Sequence, residues 1–327
     1  MNQTYLDTAK ALVAAAPHVF FDDTFALKGG TAINRFFRDV PRLSVDLGAC
    51  RNWGVESDLQ PTIPKSDRLL DLVLPDHTLP WAAARKRIDS TLAESRKRLL
   101  AAGFQVSAAA GNDGQETRLQ LTRGNVLVKV EVNFVMRGTV NPVVTLPLTQ
   151  TASDVLLAEV DIPVASREDV YGGKLVAALD RQHPRDLFDV MQLFAHEGIT
   201  PGIRRAFVVY LAGHNRPIHE LLFPTMREIQ YEYDNNFDGM TARKVPIKAL
   251  LDARERLLTE IQGGLNADEK AFLISLAAAQ PEWDKLDIPH LDQLPAIRWK
   301  PGNLQKLKDA NPDKLQAQLQ ELQKRIG

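Results

Sequence analysis

One cysteine in 327 residues, Cys50, leaves the chain unable to form an internal disulfide, and a lone thiol fits a reducing compartment. Excess charge of either sign is also missing. Lysine and arginine total 40 against 41 acidic residues, a formal net charge of −1, so a polyanionic partner has to be met by a local basic patch rather than by the field of the whole molecule. No apolar run is long enough to span a bilayer, and Met1-Asn2-Gln3-Thr4-Tyr5-Leu6-Asp7 has neither the basic start nor the apolar stretch of a signal peptide. A cytoplasmic protein with no membrane partner is expected. Zinc-ligand spacing is absent, as is a recognisable Ser-His-Asp elbow: His183 precedes a proline in a loop and His77 lies in a turn after a strand.

What remains is ordinary globular material, 44% hydrophobic and 25% charged, enough for one large domain or two moderate ones. Residues 3–16 are rich in alanine and leucine with amphipathic rhythm and predict an opening helix. Phe25-Ala26-Leu27 reads as a short buried strand running into Gly29-Gly30, with a helix from Thr31 to Arg38 behind it. Leu43 to Leu47 is the next strand, Arg51 to Arg68 has loop composition, and Leu69 to Leu74 is another short strand. A long helix over Pro80 to Ala102 ends at Gly103. Three β-type runs follow, over Phe104 to Ala108, Thr117 to Thr122 and Val126 to Val135. In the last, valines alternate with a polar face that includes Glu131. From Arg167 onward the pattern is almost wholly helical, which places a boundary near residue 165.

The chemistry concentrates in a few short motifs. Lys28-Gly29-Gly30-Thr31-Ala32-Ile33-Asn34 combines a turn that permits close backbone approach with a hydroxyl and a helix start, groups suited to phosphates. Asp46 and Glu131 are carboxylates on otherwise apolar strands, the kind of ligand Mg²⁺ requires. Each has a plainer reading: Gly-Gly as a simple turn, Asp46 as a surface strand residue. Lys174 could be an ordinary solvated lysine, and Asp186 a helix-terminal acid stabilised by the dipole. Asp186 and Asp189 are one helical turn apart and can share a face, and Arg185 could pair locally with either. Arg85-Lys86-Arg87 and Arg96-Lys97-Arg98 fall on the same side of one helix and suit an RNA backbone, although Asp89 and Glu94 between them equally suit a solvated face.

Taken in order, Lys28-Gly29-Gly30-Thr31-Ala32-x-Asn34, Pro41-Arg42-Leu43-Ser44-Val45-Asp46, Arg167-Glu168-Asp169 with Gly173-Lys174-Leu175, Pro184-Arg185-Asp186-Leu187-Phe188-Asp189 and the tail Leu294-Pro295-Ala296-x-Arg298-Trp299-Lys300 resemble the AbiEii/AbiGii nucleotidyltransferase toxins. That family belongs to the polymerase-beta-like nucleotidyltransferase superfamily. The resemblance implies an α+β fold: a nucleotidyltransferase core with a mixed sheet over residues 1–165, and a helical region over 166–327 that completes the active site. It also implies a toxin of a bacterial toxin-antitoxin or phage-defence system, with a cognate antitoxin as partner. The implied activity is Mg²⁺-dependent transfer of nucleotides from an NTP to an RNA acceptor, the tRNA 3′ end in studied relatives. Carried over by motif, Asp46, Asp71 and Glu131 would bind metal. Lys28, Gly29, Gly30, Thr31, Asn34, Ser44, Lys174, Arg185 and Asp189 would bind the nucleotide, and Lys174 and Asp186 would join the catalytic set.

The departure lies after Asp46. The resemblance calls for a second aspartate two residues on, where alternate strand residues share a face, but position 48 is glycine. Joining Leu47 to Asp71-Leu72-Val73-Leu74-Pro75-Asp76-His77 restores the motif, so residues 48–70 read as an insertion splitting the metal-binding strand. Such a loop is tolerable in closure entropy. Two other functions stay open: transfer to a protein or small molecule, and an inactive antitoxin-binding homologue produced by the split motif.

Overall fold

The computed structural model describes residues 3–40, 42, 69–110, 116–133 and 137–327. Ser44, Asp46 and residues 48–68 of the expected insertion lie outside these. Helix α1 (Gln3–Val19) leads to strand β1 (Ala26–Lys28) and helix α2 (Gly29–Ala32), which widens into a π-turn over Ile33–Phe37. Then come β2 (Leu69–Val73), α3 (Trp81–Ala101), β3 (Gln105–Ala110), β4 (Glu116–Arg123), β5 (Val126–Val132), β6 (Val144–Pro147), α4 (Gln150–Leu156) and β7 (Asp161–Val164). The remainder is helical: α5 (Arg167–Arg181), α6 (Pro184–Ala195), α7 (Pro201–Ala212), α8 (Ile218–Leu222), α9 (Gln230–Asn236), α10 (Ile247–Gly264), α11 (Ala267–Ala277), α12 (Pro295–Ala310) and α13 (Pro312–Ile326). No helix among the described residues is long and apolar enough to cross a membrane.

The strands form one mixed sheet in the order β3-β4-β5-β2-β1-β7-β6, so the fold is α+β. Strand β2 pairs antiparallel with β1 and parallel with β5. Alternation divides its two faces: Leu70 and Leu72 are buried against the same face as Val128, Val130 and Val132, while Asp71 and Glu131 emerge on the other. Helix α1 packs on β2, β5, α3 and α4, and α3 covers β3 and β4. Gly103, at φ +84°, ends α3 in the left-handed conformation that glycine adopts without strain.

Two elements differ from the sequence reading. The chain after the glycines does not continue as a regular helix to Arg38; it widens into a π-turn, a local irregularity frequent at functional sites. Strands β6 and β7 were not expected at all. Each is short and carries a proline, Pro147 and Pro163, which weakens any strand signal. Yet β7 joins β1 in parallel, with Leu27 opposite Val164, and so delivers the chain to the start of α5 beside the glycine turn. Ser166 caps α5, its hydroxyl accepting from the Asp169 amide at 3.0 Å.

Candidate active site

The site is assembled where α2 leaves the sheet. Gly29 has φ +75°, and a Cβ there would stand 3.0 Å from Asp71 Oδ2, so both the backbone conformation and the close approach require glycine. A Cβ at Gly30 would stand 3.0 Å from Arg42 Nη2, with Asp189 Oδ2 and Lys174 Nζ each at 3.9 Å. The two glycines therefore lie against two separate charged groups, a carboxylate row on the sheet and an ion network on the helices.

The row crosses four strands. Lys28 on β1 is the ladder partner of Asp71 on β2, Asp71 of Glu131 on β5, and Glu131 of Arg118 on β4. Lys28 Nζ lies 3.9 Å from Asp71 Oδ2, and the Arg118 guanidinium donates to Glu131. Asp71 keeps 32% of its side-chain surface open. Burial pushes its carboxyl above the ordinary range; Lys28 opposes that shift and Glu131 adds to it.

The network joins α5 and α6 to the glycine turn. Lys174 Nζ sits 2.7 Å from Asp186 Oδ1 and 3.0 Å from Asp189 Oδ2. Arg42 grips Asp189 with two parallel bonds of 2.8 and 2.7 Å, a bidentate geometry. Arg181 donates to Asp186, and Asn34 donates to the Gly30 carbonyl at 2.8 Å and more weakly to Asp189 at 3.4 Å. Lys174, Arg42, Asp186, Asp189 and Asn34 are all buried. Burial alone would lower the lysine and raise the acids. The opposite charges prevail: the Lys174 ammonium is held above its usual value, Asp189 below and Asp186 well below the carboxylate range.

Several residues singled out by sequence thus converge: Lys28, Gly29, Gly30 and Asn34 on the turn, Asp71 and Glu131 on the sheet, and Lys174, Asp186 and Asp189 on the helices. Thr31 is buried in α2. The Arg185 guanidinium lies 3.3 Å from His183 Nε2, and Arg181 donates to Asp186. Arg42, Arg181 and Arg118 were missed as site residues. Arg42 stands directly before the Leu43-Ser44-Val45-Asp46 run, which is the one signal that could have drawn attention to it.

Among the described residues no three His, Cys, Asp or Glu side chains come together as a metal cluster; the sheet offers the Asp71–Glu131 pair. The donor chemistry nevertheless fits a hard cation. Both side chains are carboxylates, the Gly29 approach leaves a cradle that a Cβ would fill, and the raised carboxyl of Asp71 would be relieved by a neighbouring positive charge.

The matched family decides what this arrangement belongs to. Residues 10–299 match the family described as nucleotidyl transferase AbiEii toxin, type IV TA system. The chain belongs to this AbiEii family. It is therefore a nucleotidyltransferase toxin of a type IV toxin-antitoxin system, and that system implies a cognate antitoxin. No curated protein matches the chain. Among solved structures, the chain is similar to MenT4, a nucleotidyltransferase toxin from Mycobacterium tuberculosis H37Rv, with a TM-score of 0.53 and 18% identity over 90% of this chain and 93% of that one. At this identity the likeness concerns the fold.

Outside the site, this AbiEii chain offers less for RNA on α3 than its sequence suggests. Arg85 pairs with Asp89 at 3.0 Å, Arg87 with Asp23 at 2.6 Å, and Arg98 with Glu94 at 3.2 Å while lying over the Phe21 ring. Most of the basic triplets is spent on neighbouring acids. A groove of about 660 Å³ runs between α1, the β4–β5 turn and the α4–β7 connection, and none of its lining residues belongs to the site.

Proposed function

We propose that this toxin transfers a nucleotide from an NTP to an RNA acceptor, with the tRNA 3′ end as the target, and that Asp71 and Glu131, together with Asp46, hold Mg²⁺. The observation that carries the reading is the register Asp71 opposite Glu131 with Gly29 packed on Asp71. It supports Asp71 as the second carboxylate of the split motif, because the strand resumes beside the third carboxylate and under the phosphate turn.

In this reading the acceptor hydroxyl oxygen forms a new bond to the α-phosphorus, the α–β phosphoanhydride bond breaks, pyrophosphate leaves, and the hydroxyl proton is lost to solvent. Bound Mg²⁺ supplies charge neutralisation at the phosphates. The protein supplies position. The Gly29-Gly30 backbone approaches the triphosphate with Lys28 and Thr31 beside it. Lys174 with Asp186, and Arg42 with Asp189, lock α5 and α6 against that turn, and Arg185 flanks the nucleotide. The sheet half, residues 1–165, carries the carboxylates, and the helical half, 166–327, completes the site.

The test is incubation of the purified protein with α-labelled NTPs, Mg²⁺ and total tRNA. Label is expected on RNA, and Asp71→Ala is expected to remove it. Label appearing on protein or small molecules instead, or label unaffected by Asp71→Ala, overturns the assignment.

A further inference from the structure

Helix α12 carries residues that the interior of a helix normally avoids. Pro301 cannot donate to the carbonyl one turn back, and the adjacent Gly302 is a poor helix former. Packing does not explain Gly302: a Cβ there would meet nothing within 4 Å. On the same outward side stands Trp299, 67% exposed. Its neighbour Lys300 turns inward and donates to the His214 and Arg216 carbonyls at 2.6 and 2.8 Å. Trp299, Gly302, Asn303 and Lys306 follow helical spacing along one side, with Arg298 beside the indole, and all five are exposed.

We propose that this outer face of α12 receives a single-stranded stretch of the acceptor RNA, an inference that rests on the RNA-acceptor reading above. An indole plane left open to water is a stacking platform for any base, and Gly302 one turn along leaves a flat opening beside it. Arg298 and Lys306 bracket the ring. Eight residues separate them, roughly 12 Å of helix, enough to meet phosphates about three stacked nucleotides apart at about 3.4 Å each. No carboxylate lies between the two cations in sequence, and Asp309 beyond them is engaged by Gln305 at 2.8 Å. This charge pattern favours a nucleic acid over an acidic-and-basic protein surface, and contrasts with the self-paired triplets of α3.

The platform is also tied to the catalytic strand. The Gly138 amide donates to the Leu74 carbonyl, three residues past Asp71, and Leu294 at the start of α12 packs on Gly138. His290 just before it stacks on His77, with ring centroids 4.7 Å apart.

The test uses the full chain, a fluorescein-labelled single-stranded oligoribonucleotide copying a tRNA 3′ end, and anisotropy, alongside label transfer. Trp299→Ala is expected to weaken binding and raise the acceptor KM by roughly tenfold or more, with kcat and the KM for NTP unchanged. Trp299→Phe should restore part of the loss. Arg298→Glu with Lys306→Glu should lower the slope of log Kd against log salt by about 1.4, about 0.7 for each lost phosphate contact on a single strand. Circular dichroism checks the fold of each variant. Binding by Trp299→Ala within twofold of wild type, or no binding of the oligoribonucleotide by the wild type, overturns the proposal and turns the face over to a protein partner. Trp299-dependent binding without any labelling of RNA sustains it and overturns only the transfer reading.

Discussion

Asp71 and Glu131 are direct partners in the parallel ladder between β2 and β5, flanked in the same register by Lys28 and Arg118. Two carboxylates stand side by side, each with its own cation on the outer strand, and the row balances in formal charge.

Asp71 is held in a state that its own fold disfavours. Its carboxyl is raised, burial being the main cause, so between the ordinary value and the raised one the folded state binds more protons than the unfolded state. Stability therefore falls as pH rises through that window. With divalent ions chelated, Asp71→Asn is expected to be more stable than wild type at pH 7, with the gap closing below the ordinary carboxylate range, while nucleotide transfer is lost. Thermal melts at several pH values and the labelling assay check both halves.

If Glu131 holds metal as proposed, Arg118 competes with that metal for its carboxylate. Both side chains are about one-third exposed, so the pair contributes at most about 1 kcal/mol. Arg118→Gln is expected to tighten Mn²⁺ binding without NTP by up to about fivefold, and Arg118→Lys to return it toward wild type. Titration calorimetry reads the change directly.

Lys174 is a structural keystone whatever it does for the nucleotide. Its ammonium neutralises Asp186 and Asp189 in a buried setting, and removing one partner of such a pair costs about 3–5 kcal/mol. Lys174→Met should lower unfolding stability by that order in a denaturant titration. Because the two acids have depressed values, their contribution is present above the ordinary carboxylate pKa and lost as pH falls through the folded values. Because Lys174 is raised, its share is complete below the ordinary lysine value and lost above the raised one. Lost activity in this variant is thus interpretable only beside its stability.

Gly29 and Gly124 share a left-handed backbone, at φ +75° and +58°, but only Gly29 faces a catalytic candidate. Alanine at either should cost roughly 1–2 kcal/mol of stability. Gly29→Ala alone should also reduce transfer by more than tenfold, since its Cβ would press on Asp71. Equal activity losses in the two variants would rule out a specific role for the Gly29 approach.

Much of this site was readable one motif at a time. The glycine pair, the alternation that turns Glu131 away from the valines, and Asp186 one turn from Asp189 are local patterns, and strand and helix periodicity carries them. The expectation that Asp71 resumes a strand agrees with β2. The arginines were less visible. Arg42 meets Asp189 across 147 residues of chain, and a guanidinium's partner at that separation leaves no periodic trace. Strands β6 and β7 were hidden by their length and their prolines.

The sequence by itself determined which side chains share a face and where the backbone must be glycine, because those properties are set within one turn of helix or a few residues of strand. Only the tertiary structure decided that β2 lies between β1 and β5, that Asp71 therefore faces Glu131, and that Lys174 is committed to two aspartates. Strand order and ion pairing are settled by competition among distant segments for the same buried surface and the same charges, and no local pattern records the outcome.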